Sequence, residues 1–155
     1  MKLHFLSRAA CGLFVFSPEA PAADLQHASA KVEVKAYKED AFNPGNDGTS
    51  LYELNIQEEF TGDIAATGTV RFLQTRTADG ASFVGVEYVT GAIGDRKGTF
   101  VLQDHGTLKG KTVSGSWVVV PGSGTGELKG LKGQGGFTAE LGQHADVTLD
   151  YTFEN

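Results

Sequence analysis

The chain has 155 residues, of which 21% are charged and 40% hydrophobic, which suits one folded domain and argues against disorder. A formal net charge of −6 argues against nucleic acid as a partner, because displacing counterions takes a basic stripe, and it disfavours docking on an anionic membrane surface. The single cysteine, Cys11, lies in an N-terminal segment read below as removable, so the mature chain has no thiol for a disulfide, a nucleophile or a thiolate metal site.

Residues 1–23 read as an export signal. Lys2 and Arg8 form a positive start, Ala9 to Phe16 a short apolar run, and Ser17-Pro18 a break. Ala20-Pro21-Ala22 then supplies a small-residue cleavage site. The apolar run is too short to span a bilayer, so no membrane insertion is expected after cleavage, and the destination is the periplasm or the exterior. Removal takes away Lys2, Arg8 and Glu19 and leaves a net charge of −7. Residues 24–29 read as a loose leader, and residues 30–155 as the domain.

From Ala30 onward the period is two. Val32, Val34 and Ala36 alternate with Lys31, Glu33 and Lys35, which predicts a half-buried strand. Glu39 to Ser50, with Pro44, Gly45, Asp47 and Gly48, predicts a loop. Tyr52, Leu54, Ile56, Glu58 and Phe60 share the parity of the next strand. Strands are expected over 67–75, 81–90, 99–105 and 112–120, separated by Asp79-Gly80, Gly94-Asp95 and Gly106–Lys111. Pro121 ends the last of these. Gly122 to Gly136 reads as a glycine-rich connection crossing a barrel end, with Glu127 pinning it by accepting backbone N–H bonds, and 137–141 and 145–153 as a closing hairpin.

Many short strands with short turns, and no window of helical periodicity, predict an all-β fold: one antiparallel barrel of about eight strands, closed so that no edge is left free. A β-sandwich is the structural alternative. The runs Phe60-Thr61-Gly62-Asp63-Ile64, Ala81 to Glu87, Gly98 to Gln103 and, most specifically, Trp117 to Leu128 resemble a bacterial family of uncharacterised small domains built on the allene oxide cyclase-like barrel. The resemblance covers about Ala30 to Phe153 and implies an eight-stranded antiparallel barrel with an apolar lumen. Family members of this type are usually without a leader, so the export signal is a departure. No local motif carries the plant cyclases' catalytic residues onto this chain, and none is transferred.

Candidate chemistry comes from polar residues set among apolar strand residues. Glu87 shares its parity with Phe83, Gly85 and Val89, and Glu58 with Tyr52 to Phe60. If those faces point inward, two carboxylates enter an apolar cavity, where desolvation suits them to acid or base work. For Glu87, the set Ser82, Val84, Val86 and Tyr88 is a competing inner face. Arg71 lies between the two acids in sequence and is positioned to pair with either. His105 and Gln103 share a face with Thr99 and Val101 at a strand end, where a histidine near a barrel mouth transfers protons or orients a ligand. Trp117, the only tryptophan, is expected with Phe83 and Phe100 as lumen wall. No two histidines stand at metal-ligand spacing, so no metal and no cofactor are expected. Gly106 to Thr112 superficially resembles a phosphate loop, but it joins two strands and lacks the following helix, so it reads as a hairpin turn.

Three functions stay open at this level. One is a barrel binding a small apolar or amphipathic molecule. Another is a cofactor-independent isomerase, cyclase or lyase using Glu87 or Glu58 with Arg71 or His105. The third is a structural or interaction domain whose lumen is filled by side chains. An isologous homo-oligomer is compatible with all three.

Overall fold

The computed structural model describes residues 24–43, 45 and 47–154. The expected signal segment lies outside them. Eight strands follow one another as β1 (Gln26–Asn43), β2 (Ser50–Gly62), β3 (Ile64–Thr77), β4 (Gly80–Ile93), β5 (Arg96–Lys109), β6 (Thr112–Val119), β7 (Leu131–Glu140) and β8 (Ala145–Phe153). Each pairs antiparallel with the next, and β1 pairs with β8, so the sheet is a closed barrel rather than a sandwich.

Strand ends differ from the sequence reading at several places. Gln26 to Ser29, expected as a leader, belong to β1 and pair with β8, with Ala28 buried. These residues supply the ladder that closes the barrel, and backbone pairing overrides their weak side-chain pattern. Residues 39–43, expected as loop, continue β1 beyond the end of β8 and pair only with β2. Both of their faces are exposed, so alternation leaves no trace there. A register shift between Val34 and Ala36 switches the parity of β1, which turns Tyr37 and Glu39 toward the side of Ile56 and Leu54. Gly106–Lys109 end β5 and Thr112 opens β6, as a hairpin reading of that segment requires.

Inward residues divide the lumen in two. One end is packed solid by a cluster that includes Ile64, Ile93, Phe100, Leu128, Leu131 and Leu149. The other end carries the extended β1–β2 hairpin and the β3–β4, β5–β6 and β7–β8 turns, and it is open.

The run joining β6 to β7 explains itself at the closed end. β6 pairs with β5 only from Leu102 onward, which leaves the first half of β5 without a strand partner on that side. Alternate side chains of the connection take its place. Ser123 Oγ accepts from the Val101 amide (3.0 Å), Thr125 Oγ1 from the Thr99 amide (3.0 Å) and Glu127 Oε2 from the Lys97 amide (2.9 Å). Glu127 therefore holds the expected pinning role. The intervening Gly124 and Gly126 leave the backbone free to lie close, since a Cβ at 124 would run into the Leu128 carbonyl and Gly126 has φ +58°. Leu128, on the 3-10 turn Gly126–Leu128, then plugs the barrel end. The stretch from Ser123 to Leu128 is thus an edge-satisfying plug.

Candidate functional site

The site is built by the inner faces of all eight strands. Four aromatic side chains each lie beside a glycine directly across the ladder: Phe72 opposite Gly85, Phe83 opposite Gly106, Phe137 opposite Gly115 and Trp117 opposite Gly135. A Cβ at each glycine would crowd the facing ring (2.5 Å from Phe83 and from Phe137, 2.6 Å from Phe72, 2.7 Å from Trp117 Nε1). The glycines let the rings lie against the wall instead of standing across the lumen. The rings form a continuous belt, with centroids 4.7 Å apart for Phe72–Phe83, 6.2 Å for Phe83–Phe137 and 5.4 Å for Phe137–Trp117. Trp117 is fixed by donating Nε1–H to the Thr148 carbonyl at 3.0 Å. Within the belt lies an apolar cavity of about 310 Å³ that opens at the mouth between Tyr37, Arg76 and Leu141.

Four carboxyl groups line this cavity: Glu58 from β2, Glu87 from β4 and Asp104 from β5 within it, and the exposed Glu140 from β7 at the mouth. Glu87 and Asp104 are each only 2% exposed. Their side chains are diagonal neighbours, because Glu87 faces Leu102 and Asp104 faces Gly85 across the same ladder. Glu87 reaches Glu58 by a different route. Its Oε1 occupies the space where a Cβ of Gly68 would stand, and Gly68 is the direct cross-strand partner of Glu58. Glu87 Oε1 and both oxygens of Asp104 are buried without a hydrogen-bond partner.

The electrostatics follow from that placement. Burial pushes the Glu58 carboxyl up to about 7. Burial, and then the Glu58 charge, push Asp104 up to about 7. Burial first, then the charges of Glu58 and Asp104, hold Glu87 well above the usual carboxylate range. The cluster therefore shares protons near neutral pH, with both acid and base forms at hand. Among the described residues, no group of three or more His, Cys, Asp or Glu side chains is placed to hold a metal ion.

The sequence candidates separate cleanly. Glu58, Glu87, Phe83 and Trp117 meet at the cavity. The competing β4 face is the outer one, where Val84, Val86 and Tyr88 are exposed. Arg71 is a correction: it points outward, 60% exposed, and pairs with Glu53 at 3.1 Å, because Val70 and Phe72 on either side take the inner face. His105 and Gln103 are corrections for the same reason. They are exposed on the outside of β5, where His105 Nε2 meets Ser116 Oγ at 3.1 Å. Phe100 is inward but belongs to the packed end, away from the cavity lining. Asp104, which sequence reasoning missed, shares its parity with Phe100 and Leu102, and that parity was the available signal.

Arg76 is the one cationic side chain lining the cavity among the described residues, and it is engaged at the mouth. It donates to Glu39 and Gln74, approaches Tyr37 Oη at 3.4 Å, and stacks 3.8 Å from the Tyr52 ring centroid.

With this geometry in place, comparison with known proteins assigns the family. Residues 28–151 match the family described as "Protein of unknown function (DUF3224)". The chain belongs to that family. Its barrel is similar to the crystal structure of a DUF3224 family protein of unknown function from Shewanella oneidensis MR-1, with TM-score 0.73 and 29% identity over 85% of this chain and 100% of that one. The comparison with curated proteins found no match. The DUF3224 membership accords with the resemblance drawn from the strand motifs, an uncharacterised family of small bacterial domains.

Proposed function

We propose that this DUF3224 protein holds a small amphipathic molecule in its lumen and exchanges protons with it through Glu58, Glu87 and Asp104. One observation carries the reading: an apolar cavity of about 310 Å³ is lined by Glu58, Glu87 and Asp104, and the last two carry buried carboxyl oxygens that have no partner in the protein. Buried polar groups left unsatisfied cost stability, so a purely structural barrel would be better served by apolar residues at 87 and 104. A bound molecule offering donors would satisfy them.

The reaction class this supports is a cofactor-independent isomerisation, cyclisation or elimination. A neutral carboxyl gives a proton to one atom of the substrate while an ionised neighbour removes one from another. Asp104 takes the place that Arg71 and His105 were expected to fill, so the lumen offers proton transfer rather than a cation for a developing oxyanion. Trp117, Phe83, Phe72 and Phe137 supply the apolar wall. The reading is of an exported protein, resting on the N-terminal segment.

The test is native mass spectrometry of the protein purified from its own host compartment, compared with the denatured mass. The expected result is an added mass that denaturation releases and that a lumen-filling Val70→Trp variant lacks. A bare mass, together with no uptake of small apolar probes by the wild type, would place the structural reading first.

A further inference from the structure

We propose that the polar head this lumen takes is a protonated organic amine, its nitrogen seated among Glu58, Glu87 and Asp104 and its apolar body along the aromatic belt. The inference rests on the reading of the lumen as a small-molecule site and names the chemical class of its occupant.

The charge inventory of the cavity points one way. Glu58, Glu87 and Asp104 line its interior and Glu140 its mouth, and the one cation on its wall among the described residues, Arg76, is tied to Glu39 and Gln74 at the mouth. Glu87 and Asp104, both cavity-lining and nine-tenths or more buried, carry three carboxyl oxygens that lack any donor, Glu87 Oε1 and both of Asp104. An ammonium group brings up to three N–H donors and one positive charge to a place that has neither. A carboxylate or phosphate head would meet charges of its own sign there.

The aromatic wall adds a second, independent preference. Phe72, Phe83, Phe137 and Trp117 form one continuous surface beside the carboxyls, and the Trp117 N–H is already spent on Thr148, which leaves its ring as a surface for the ligand. Ring faces attract cations, most strongly where water is excluded. A compact metal ion is poorly served, because among the described residues no group of three or more His, Cys, Asp or Glu side chains is placed to hold one. A diffuse organic cation with an apolar tail matches both the acids and the rings. Exposed Val34, Tyr37 and Leu141 at the rim give such a tail an apolar way in.

Binding is then linked to protons. The groups facing the cavity are Tyr37 of β1, Glu58 of β2, Arg76 of β3, Glu87 of β4, Asp104 of β5 and Glu140 of β7, while β6 and β8 contribute none. An entering ammonium favours ionised carboxyls, so protons leave the cluster for solvent as the amine arrives, and amine affinity rises as the pH moves from about 5 to about 8.

The test uses hexylamine, hexanol and hexanoate with the wild-type protein, read by calorimetry and by Trp117 emission. Hexylamine is expected to bind about tenfold or more tighter than hexanol, with hexanoate weakest. Glu87→Gln/Asp104→Asn, which keeps side-chain shape, is expected to abolish that preference while hexanol binding persists. Hexanol binding with no advantage for the amine overturns this inference and leaves the binding-barrel reading standing. Failure of all three probes overturns both.

Discussion

The Glu87 carboxyl sits in the space that a side chain at Gly68 would fill: a Cβ built there overlaps Oε1 and comes within 3.1 Å of the Phe60 ring. Gly68 is buried in β3 with no positive φ to explain it, so its missing side chain is read as a cradle for the acid. Gly68→Ala should therefore drive the carboxyl off its position, because a flexible side-chain end yields more readily than two paired strands. Destabilisation of about 1–2 kcal/mol is expected, with loss of any ligand that depends on Glu87. The same substitution in a Glu87→Ala background should cost much less. Additive losses in that double-mutant cycle, measured by denaturant unfolding, would show that the two positions are not coupled.

Trp117 gives a prediction about the wall itself. Trp117→Phe removes the donor to the Thr148 carbonyl and shrinks the ring facing Gly135. The expected loss is about 1–2 kcal/mol from the broken hydrogen bond, plus a contribution from the cavity it leaves. An unchanged urea midpoint would mean that the indole is not held as the geometry requires.

These two sites show how far the sequence could be read. Alternation groups Glu58 with Phe60, and Glu87 with Phe83 and Val89, but it leaves open which face of β4 is the inner one, because the exposed Val84, Val86 and Tyr88 are as apolar as the buried set. It failed for Arg71, which sits among Thr69 and Leu73 on an outer face that tolerates an exposed leucine. Asp104 is hidden in the sequence because Thr99 and Val101 offer a face of β5 as plausible as the one that holds the buried pair Phe100 and Leu102. The cradle at Gly68 depends on register between β3 and β4, which no single-strand pattern contains. The strand ends at Gln26 and Asn43 were hidden for another reason: there the backbone ladder, rather than side-chain burial, holds the chain.

Arg76 acts as a strut between the extended β1–β2 hairpin and β3. It joins Glu39, Gln74 and the Tyr52 ring, and its guanidinium holds the Glu39 carboxyl below the ordinary range. Arg76→Met keeps much of the stem and removes the ties. A small stability change, about 1 kcal/mol or less, is expected because the pair is partly solvated. Entry and exit of hexylamine should both quicken. Stopped-flow rates identical to wild type would argue that the hairpin does not gate the mouth.

The N-terminal reading predicts where the mature chain starts. β1 begins at Gln26, so loss of residues 1–23 leaves whole every strand of the described residues. N-terminal sequencing of protein recovered from the periplasm or medium should begin near Asp24. Recovery of the protein from the cytoplasm with Lys2 and Arg8 retained would reject export.

The acid cluster makes the empty barrel weakest where most proteins are comfortable. In the unfolded chain, Glu58, Glu87 and Asp104 ionise near their ordinary values of 4.5, 4.5 and 3.8. Folded, Glu58 and Asp104 hold their protons to about 7, and burial holds Glu87 well above the usual carboxylate range. Between those limits the native state binds more protons than the unfolded state, so stability falls as pH rises. Glu39 and Asp146 are shifted the other way, by Arg76 and Lys31, but they lie in exposed pairs whose contribution is screened. The ligand-free protein should therefore melt about 5 °C or more higher near pH 5 than near pH 8. Glu87→Gln should raise the melting temperature at pH 8 and flatten the profile, because a neutral amide removes the need to bury charge. A melting temperature that climbs from pH 5 to pH 8 in the ligand-free wild type would mean that the three carboxyls are ionised in the folded state and already have partners.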